Sequence, residues 1–337
     1  MTKPLKFAAI GIDHRHIFGM SESMIEVGAE FVGWWTAGSP PPLDGFIKRF
    51  PDVPRVTDVE TLLVDPSIDL ILISCVPADR AAFAVRAMQA RKDVMTDKPG
   101  CTTLDQLEAI KTAQKATGRI WSVNFSERFE VASMTRAAEL VAAGAIGKVI
   151  QTTGLGPHRL NAATRPDWFW ERDRYGGILC DIGSHQIDQF LFLTGQTDAE
   201  IKRAYTANYA NPDHPELEDY GEIVLQAGDA HGFIRVDWYT PDALPTWGDG
   251  RLTILGTEGY IELRKYVDVA RDETGDHLYL VNGDRCEKID CCDAGRPYFA
   301  RLSDDIRNRT DTAVPQAHTF KAMELAIKAQ MLAEGTK

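Results

Sequence analysis

The chain has 337 residues, 44% of them hydrophobic and 26% charged, so a folded protein of two domains is expected. Its 37 basic and 49 acidic residues leave a formal charge of −12, which argues against nucleic acid or an anionic membrane as partner. Six cysteines at 75, 101, 180, 286, 291 and 292 form neither a disulfide framework nor a zinc spacing. No metal is therefore expected, and with no signal peptide and no apolar 18-residue stretch the expected compartment is reducing and cytoplasmic.

Residues 6–11 are a short apolar run closed by Gly11, the pattern of a buried parallel strand. Ile17, Met20, Met24 and Val27 follow at helical spacing. A strand over 31–35, a helix from Pro41-Pro42 to Phe50, a short strand near Val56 and a helix over 59–64 come next. Residues 70–75 are the plainest buried strand, and Pro77 opens a helix to Ala90. After a strand over 93–96, Thr103-Leu104-Asp105-Gln106 reads as a capping box for a helix that turns Leu107 and Ile110 inward and ends near Gly118. A strand over 120–124 closes the series. Strands alternating with helices across short loops predict a doubly wound parallel sheet over residues 1–125, with ligands at the carboxyl ends of its strands.

The pattern then changes. A helix over 131–143 leads through Gly144-Ala145-Ile146-Gly147 to a strand near Val149. A charged, aromatic loop over 157–175 precedes Gly176-Gly177 and a helix after Gly183. Short alternating runs at 220–226, 232–239, 251–255, 260–264 and 278–281 predict an open-faced, mostly antiparallel sheet. Residues 126–337 thus read as a second, α+β domain. A closing helix over 318–334 carries Phe320, Met323, Leu325, Ile327 and Met331.

Four segments carry chemistry. The first turn of a dinucleotide fold wants G-x-G-x-x-G, so that backbone can approach a diphosphate at a helix N-terminus. Here it reads Gly11-Ile12-Asp13-His14-Arg15-His16: Asp13 replaces the second glycine, and His14, Arg15 and His16 offer donors or charge. Asp13 is alternatively an N-cap. The second segment, Thr36-Ala37-Gly38-Ser39 after strand two, has no acid for ribose hydroxyls, which tilts the cofactor toward NADP with Ser39 as a phosphate donor. The third is Thr96-Asp97-Lys98-Pro99, which places a lysine at a strand's carboxyl end, suited to polarise an oxygen or carry a proton. The fourth is Asp181-Ile182-Gly183-Ser184-His185 after Gly176-Gly177. Asp181 and His185, four apart, share a helical face and suit acid–base work on an alcohol or carbonyl, with Asp188 as an alternative support of the helix start.

Asp97-Lys98-Pro99, Gly144-Ala145-Ile146-Gly147 before a strand, and Gly176-Gly177 through Asp188, in that order and spacing over the whole chain, make the sequence resemble the glucose–fructose oxidoreductase / inositol dehydrogenase (Gfo/Idh/MocA) family. The resemblance implies a Rossmann domain, an NAD or NADP cofactor, a carbohydrate-like substrate and a homodimer or homotetramer formed through the C-terminal sheet. It implies Lys98, Asp181 and His185 as catalytic residues, with His185 the proton acceptor, and a Lys98–Pro99 bond in the cis form. The cofactor set is Gly11, Ile12, Asp13, His14, His16, Thr36, Ser39, Cys75, Pro77, Asp97 and Lys98. The substrate set is His158, Arg165, Trp168, Trp170, Asp181 and His185, since Trp faces pack on sugar C–H surfaces. The sequence departs from the family in the glycine loop and at Pro77-Ala78-Asp79-Arg80-Ala81, where Pro-Asn-x-x-His is usual. A redox-neutral epimerase or lyase with bound NAD(P), and a non-catalytic ligand-sensing regulator, are the competing functions on the same fold.

Overall fold

The computed structural model describes residues 3–269, 272 and 274–335. The chain divides into two compact units. The first comprises residues 1–124, 164–176 and 297–323; the second comprises 125–163, 177–296 and 324–337.

The first unit is built on five parallel strands: β1 (Lys6–Ile12), β2 (Glu30–Trp35), β3 (Leu70–Ser74), β4 (Asp93–Asp97) and β5 (Trp121–Asn124). Their order is β2-β1-β3-β4-β5. The chain therefore leaves β1 toward one side and returns to its other side, which makes the ends of β1 and β3 a topological switch point, where such folds bind ligands. The helices alternating with the strands are α1 (His16–Glu26), α2 (Leu43–Arg49), α3 (Glu60–Val64), α4 (Arg80–Gln89) and α5 (Leu104–Thr117). α1 sinks Ile17, Met20 and Met24 completely, as their spacing requires, while Val27 is half-buried at its C-cap. Phe46 of α2 packs edge-on against Phe18 and Trp34, 5.4 Å between centroids in each case.

Two local expectations are corrected here. No strand forms near Val56: residues 53–56 make only the bridge Trp34↔Arg55, with Trp34 N–H donating to Pro54 O and Val56 N–H to Trp34 O. Pro51 and Pro54 cannot donate to a ladder, so the edge stops at β2. The capping box at Thr103 closes differently from expectation. Thr103 Oγ1 accepts from Gln106 N–H at 3.2 Å, but Gln106 Oε1 reaches Thr102 N–H, and its amide nitrogen donates to Ala78 O. The N-terminus of α5 is thereby tied to the segment that follows β3.

A helix over Pro297–Asn308, not anticipated from the sequence, buries Tyr298, Phe299, Leu302 and Ile306 in the first unit. The Tyr298 hydroxyl lies 2.7 Å from Ser122 Oγ of β5. The second unit holds eight strands in the order β13-β12-β11-β10-β6-β9-β8-β7, antiparallel except for the central β6–β9 pair. They are β6 (Val149–Pro157), β7 (Glu200–Ala207), β8 (Tyr220–Ala227), β9 (Ala230–Asp237), β10 (Arg251–Gly256), β11 (Gly259–Arg264), β12 (His277–Asn282) and β13 (Cys286–Ile289). Burial alternates strictly along β8, so one face is core and the other is wetter. The core face is covered by helices Ala132–Ala142 and Gly183–Thr194, with Met134, Ile254, Ile261, Leu263 and Leu280 in one cluster. The last helix, Gln316–Gly335, buries Met323, Leu325 and Ile327, but Met331 is exposed. Among the described residues no helix is long and apolar enough to cross a membrane.

Candidate active site

In the first unit the carboxyl ends of β1, β2, β3 and β4 bring the predicted cofactor residues together. Gly11 has φ +76°, and a Cβ there would fall 2.4 Å from Cys75 Cβ, so only glycine lets this turn close on the end of β3. Ile12 N–H donates to Thr36 Oγ1 at 3.3 Å, joining β1 to the end of β2. Asp13 and His14 N–H both donate to Ser74 O. Arg15, not Asp13, takes the N-cap of α1, and it makes no side-chain cap. Among the described residues the backbone N–H groups of Arg15 and His16 have no acceptor. Ser39 is exposed on its turn, and Pro77 begins the turn Pro77–Asp79 after β3.

Asp97 is the hub. Its carboxylate is fully buried and accepts from His14 Nδ1 at 2.7 Å, His16 Nδ1 at 2.8 Å, Ser74 Oγ at 3.1 Å and Arg80 Nη2 at 3.1 Å. Burial works against its charge, yet Arg80, His16 and His14 hold the carboxyl well below the usual range. An ionised Asp97 accepts N–H from both imidazoles. Burial pushes the His14 imidazole down to about 4 despite the Asp97 charge, so this histidine is neutral at pH 7. Burial drives the Cys75 thiol far up, so it is no nucleophile. His14, His16 and Asp97 each bring one ligand-type atom within 4.8 Å of the others, a donor set of the kind a transition metal uses.

Arg80 is the residue the sequence reading missed. It is 1% exposed, and its guanidinium donates to the carbonyls of Cys75, Asp97, Lys98 and Pro99 as well as to the Asp97 carboxylate. One cation thus carries the whole Asp97–Pro99 turn, in which the Lys98–Pro99 bond is cis as expected and Lys98 is buried. A signal existed: an arginine on the first turn of a helix opposes the helix dipole unless something specific holds it there.

In the loop ahead of Gly176 the aromatic anchor is Phe169, also missed. It is buried, stacks on Tyr175, takes Trp168 and Trp170 edge-on, and lies under the Arg165 guanidinium at 4.2 Å. Both tryptophans are half-buried. Arg174 ties this loop to Asp79 through two hydrogen bonds of 3.1 and 2.9 Å.

In the second unit Asp181 ends the helix Ile178–Asp181, and His185 lies in the first turn of Gly183–Thr194. Ile182 between them is itself helical, so the two sit one turn apart as predicted. His185 is buried, edge-on to Phe125 at 6.3 Å. The Gly176-Gly177 entry has φ +91° and +86°, and a Cβ on Gly177 would meet the Gln330 amide at 2.2–2.5 Å. Glu218, absent from the sequence reading, accepts Ile178 N–H and the Gln330 amide, placing a buried carboxylate at that helix start. Asp188 does not support the helix start; it pairs bidentately with Arg128 at 2.6 and 2.7 Å. His158 sits apart from Asp181 in sequence and element, at the end of β6, edge-on to Trp238 and Trp247.

A five-stranded parallel sheet with its chemistry at the β1/β3 switch point, joined to a large open-faced sheet, defines a dinucleotide-fold protein with an appended α+β domain. The chain belongs to the Gfo/Idh/MocA oxidoreductase family. The family's NAD-binding Rossmann-fold model matches residues 30–125, and its C-terminal domain model matches residues 134–262. The scyllo-inositol 2-dehydrogenase (NADP(+)) IolW of Bacillus subtilis is 29% identical over 184 residues, 54% of this chain and 49% of that protein. The scyllo-inositol 2-dehydrogenase (NAD(+)) of the same organism is 28% identical over 206 residues, 60% of this chain and 57% of that one. The chain thus spans about half the length of these curated relatives. A crystal structure from Erwinia carotovora atroseptica, of a protein proposed to be an oxidoreductase, is 49% identical with a TM-score of 0.94 and covers 98% of each chain.

The dinucleotide of this family fits the residues present in the first unit. The open N–H groups of Arg15 and His16 at the N-terminus of the 11-residue α1 suit a diphosphate, with the Arg15 side chain beside them. Asp13 is the discordant element. Burial raises its carboxyl to about 6, against the pull of Arg80. A folded pKa above the usual carboxylate value of 3.8 means that the native state binds more protons between pH 4 and 6, so stability falls as pH rises through that window. We expect Asp13→Asn to remove this loss: its Tm relative to wild type rises from pH 4 to pH 7, and a constant difference disproves the assignment.

Proposed function

We propose that the protein is an NAD(P)-dependent oxidoreductase acting on an alcohol or ketone of a sugar, polyol or sugar derivative. Bound NAD(P) supplies the hydride acceptor or donor. Arg15 and His16 N–H hold the diphosphate, and Lys98 polarises the reacting oxygen. His185 exchanges the hydroxyl proton, with Asp181 setting its basicity, and His158, Arg165, Trp168 and Trp170 contact substrate. Asp97 acts through His14 and His16, which it orients, since its own oxygens are used. Residues 1–125 form the cofactor domain and 126–337 the substrate and oligomerisation domain, save that residues 164–176 and 297–323 fold with the first unit, and the protein assembles as a homodimer or homotetramer through the C-terminal sheet. Free thiols at all six cysteines fit a cytoplasmic compartment.

The observation that carries this reading is the Lys98 turn, suspended from Arg80 beside the Gly11 turn at the switch point. Denaturing extraction with mass spectrometry, then titration of the stripped protein with NAD+ and NADP+, tests it. Retained or saturable dinucleotide is expected, followed by nicotinamide absorbance changes with a panel of sugars and polyols. No binding of either at millimolar concentration overturns it in favour of a ligand-sensing regulator. Turnover without added cofactor moves it to a redox-neutral epimerase or lyase.

A further inference from the structure

The turn after β2 is where a dinucleotide fold reads the adenosine ribose, and an acid there selects the bare 2′-hydroxyl. Residues 36–39 contain none. The structure brings a cation to this place from elsewhere in the sequence. Arg55 Nη2 donates to Thr36 O at 3.4 Å and to Gly38 O at 3.3 Å. Its guanidinium lies 5.3 Å from the centroid of the Trp34 ring. The backbone beneath is fixed by the Trp34↔Arg55 bridge and by the Val56 N–H to Trp34 O bond of 2.9 Å.

Three features make this more than a capped turn. A guanidinium has five N–H donors, and the two carbonyls engage Nη2 alone, leaving Nε and Nη1. Among the described residues no carboxylate pairs with Arg55, in a chain with 49 acids. Ser39, exposed on the same turn beyond Gly38 at φ +57°, keeps its hydroxyl, whereas the Thr36 hydroxyl is occupied by Ile12 N–H. An acid-free guanidinium anchored on the turn carbonyls beside a free hydroxyl is chemistry for a phosphomonoester dianion.

We infer that Arg55 and Ser39 form a subsite for the 2′-phosphate of NADP, and that the protein selects NADP over NAD. The inference rests on the dinucleotide reading above. The Trp34 ring beneath the guanidinium and the two carbonyls bias Arg55 toward the turn, so the charge is near its place before the ligand arrives.

Calorimetric titration of the stripped protein with NADP+, NAD+, 2′,5′-ADP and 5′-AMP tests it. Wild type is expected to bind NADP+ at least about tenfold more tightly than NAD+, and 2′,5′-ADP more tightly than 5′-AMP. Arg55→Ala is expected to lose that preference with NAD+ affinity unchanged, and Arg55→Lys to keep part of it. Should Arg55→Ala fail to fold, Ser39→Asp on the exposed turn places a carboxylate in the subsite and is expected to weaken NADP+ while sparing NAD+. Equal or tighter NAD+ binding in wild type overturns the inference and leaves the oxidoreductase reading standing. Parallel loss of both nucleotides in Arg55→Ala reduces Arg55 to a support of the turn and also overturns it. Absence of binding by either nucleotide overturns both readings.

Discussion

Replacing Lys98 by Met, or His185 by Ala, is expected to lower turnover by at least about 100-fold, the scale of a lost proton-transfer or polarising group. The two variants differ in what else they disturb. Lys98 is 3% exposed at the end of β4, on a turn whose carbonyls are held by Arg80, so removing its ammonium leaves the turn in place. His185 is 1% exposed and packs on Phe125, so His185→Asn, which keeps a polar group in the helix, is the companion to His185→Ala. In the His185 variants dinucleotide affinity is expected to stay within a few-fold of wild type, because the open N–H groups at α1 belong to other residues. The loss then appears in kcat at saturating cofactor. Asp181→Asn is expected to cost less, since in the proposed mechanism Asp181 only sets the basicity of His185 and does not carry the proton that moves. Near-wild-type turnover in both Lys98→Met and His185→Ala removes these residues from the chemistry.

How much of this was legible in the sequence depended on range. β3 was plain because Leu70, Ile71, Leu72 and Ile73 are buried on both faces of a parallel sheet and admit no polar alternation. The short strand near Val56 failed because one bridge flanked by prolines leaves the same apolar trace as a short strand. The helix over Pro297–Asn308 was passed over although its apolar positions repeat at helical spacing, because the strand pattern before it drew the reading onward. At the site, Gly11, His14, His16, Asp97 and Lys98 stand in local motifs and were found. Arg80 and Arg55 were not, since each acts on backbone carbonyls 17 to 19 residues away, and such pairings leave no periodic mark. Glu218 and Gln330, which together hold the start of the Ile178–Asp181 helix, are 112 residues apart.

Arg80→Ala is the structural counterpart with the largest expected effect. A buried ion pair stripped of one partner typically costs about 3–5 kcal/mol, because the remaining charge stays buried and uncompensated. Here Asp97 is fully buried, and Arg80 donates in addition to the carbonyls of Cys75, Asp97, Lys98 and Pro99, of which Asp97 O also accepts from Thr96 Oγ1. Urea denaturation is expected to show a loss in that range, with the m-value unchanged. The double variant Arg80→Ala/Asp97→Asn is expected to recover part of it, since the stranded charge is gone while the guanidinium's hydrogen bonds to the turn carbonyls are still lost. Acid separates the two contributions. Asp97 has a folded pKa far below its unfolded value, so the stability it contributes is full above about pH 4 and is lost as pH falls further. Wild type therefore loses more on acidification from pH 5 to 3 than the double variant, and the gap between them narrows. A loss under about 1 kcal/mol in Arg80→Ala at pH 7 would mean that His14, His16 and Ser74 hold Asp97 by themselves, and that the Lys98 turn keeps its shape without the guanidinium beneath it.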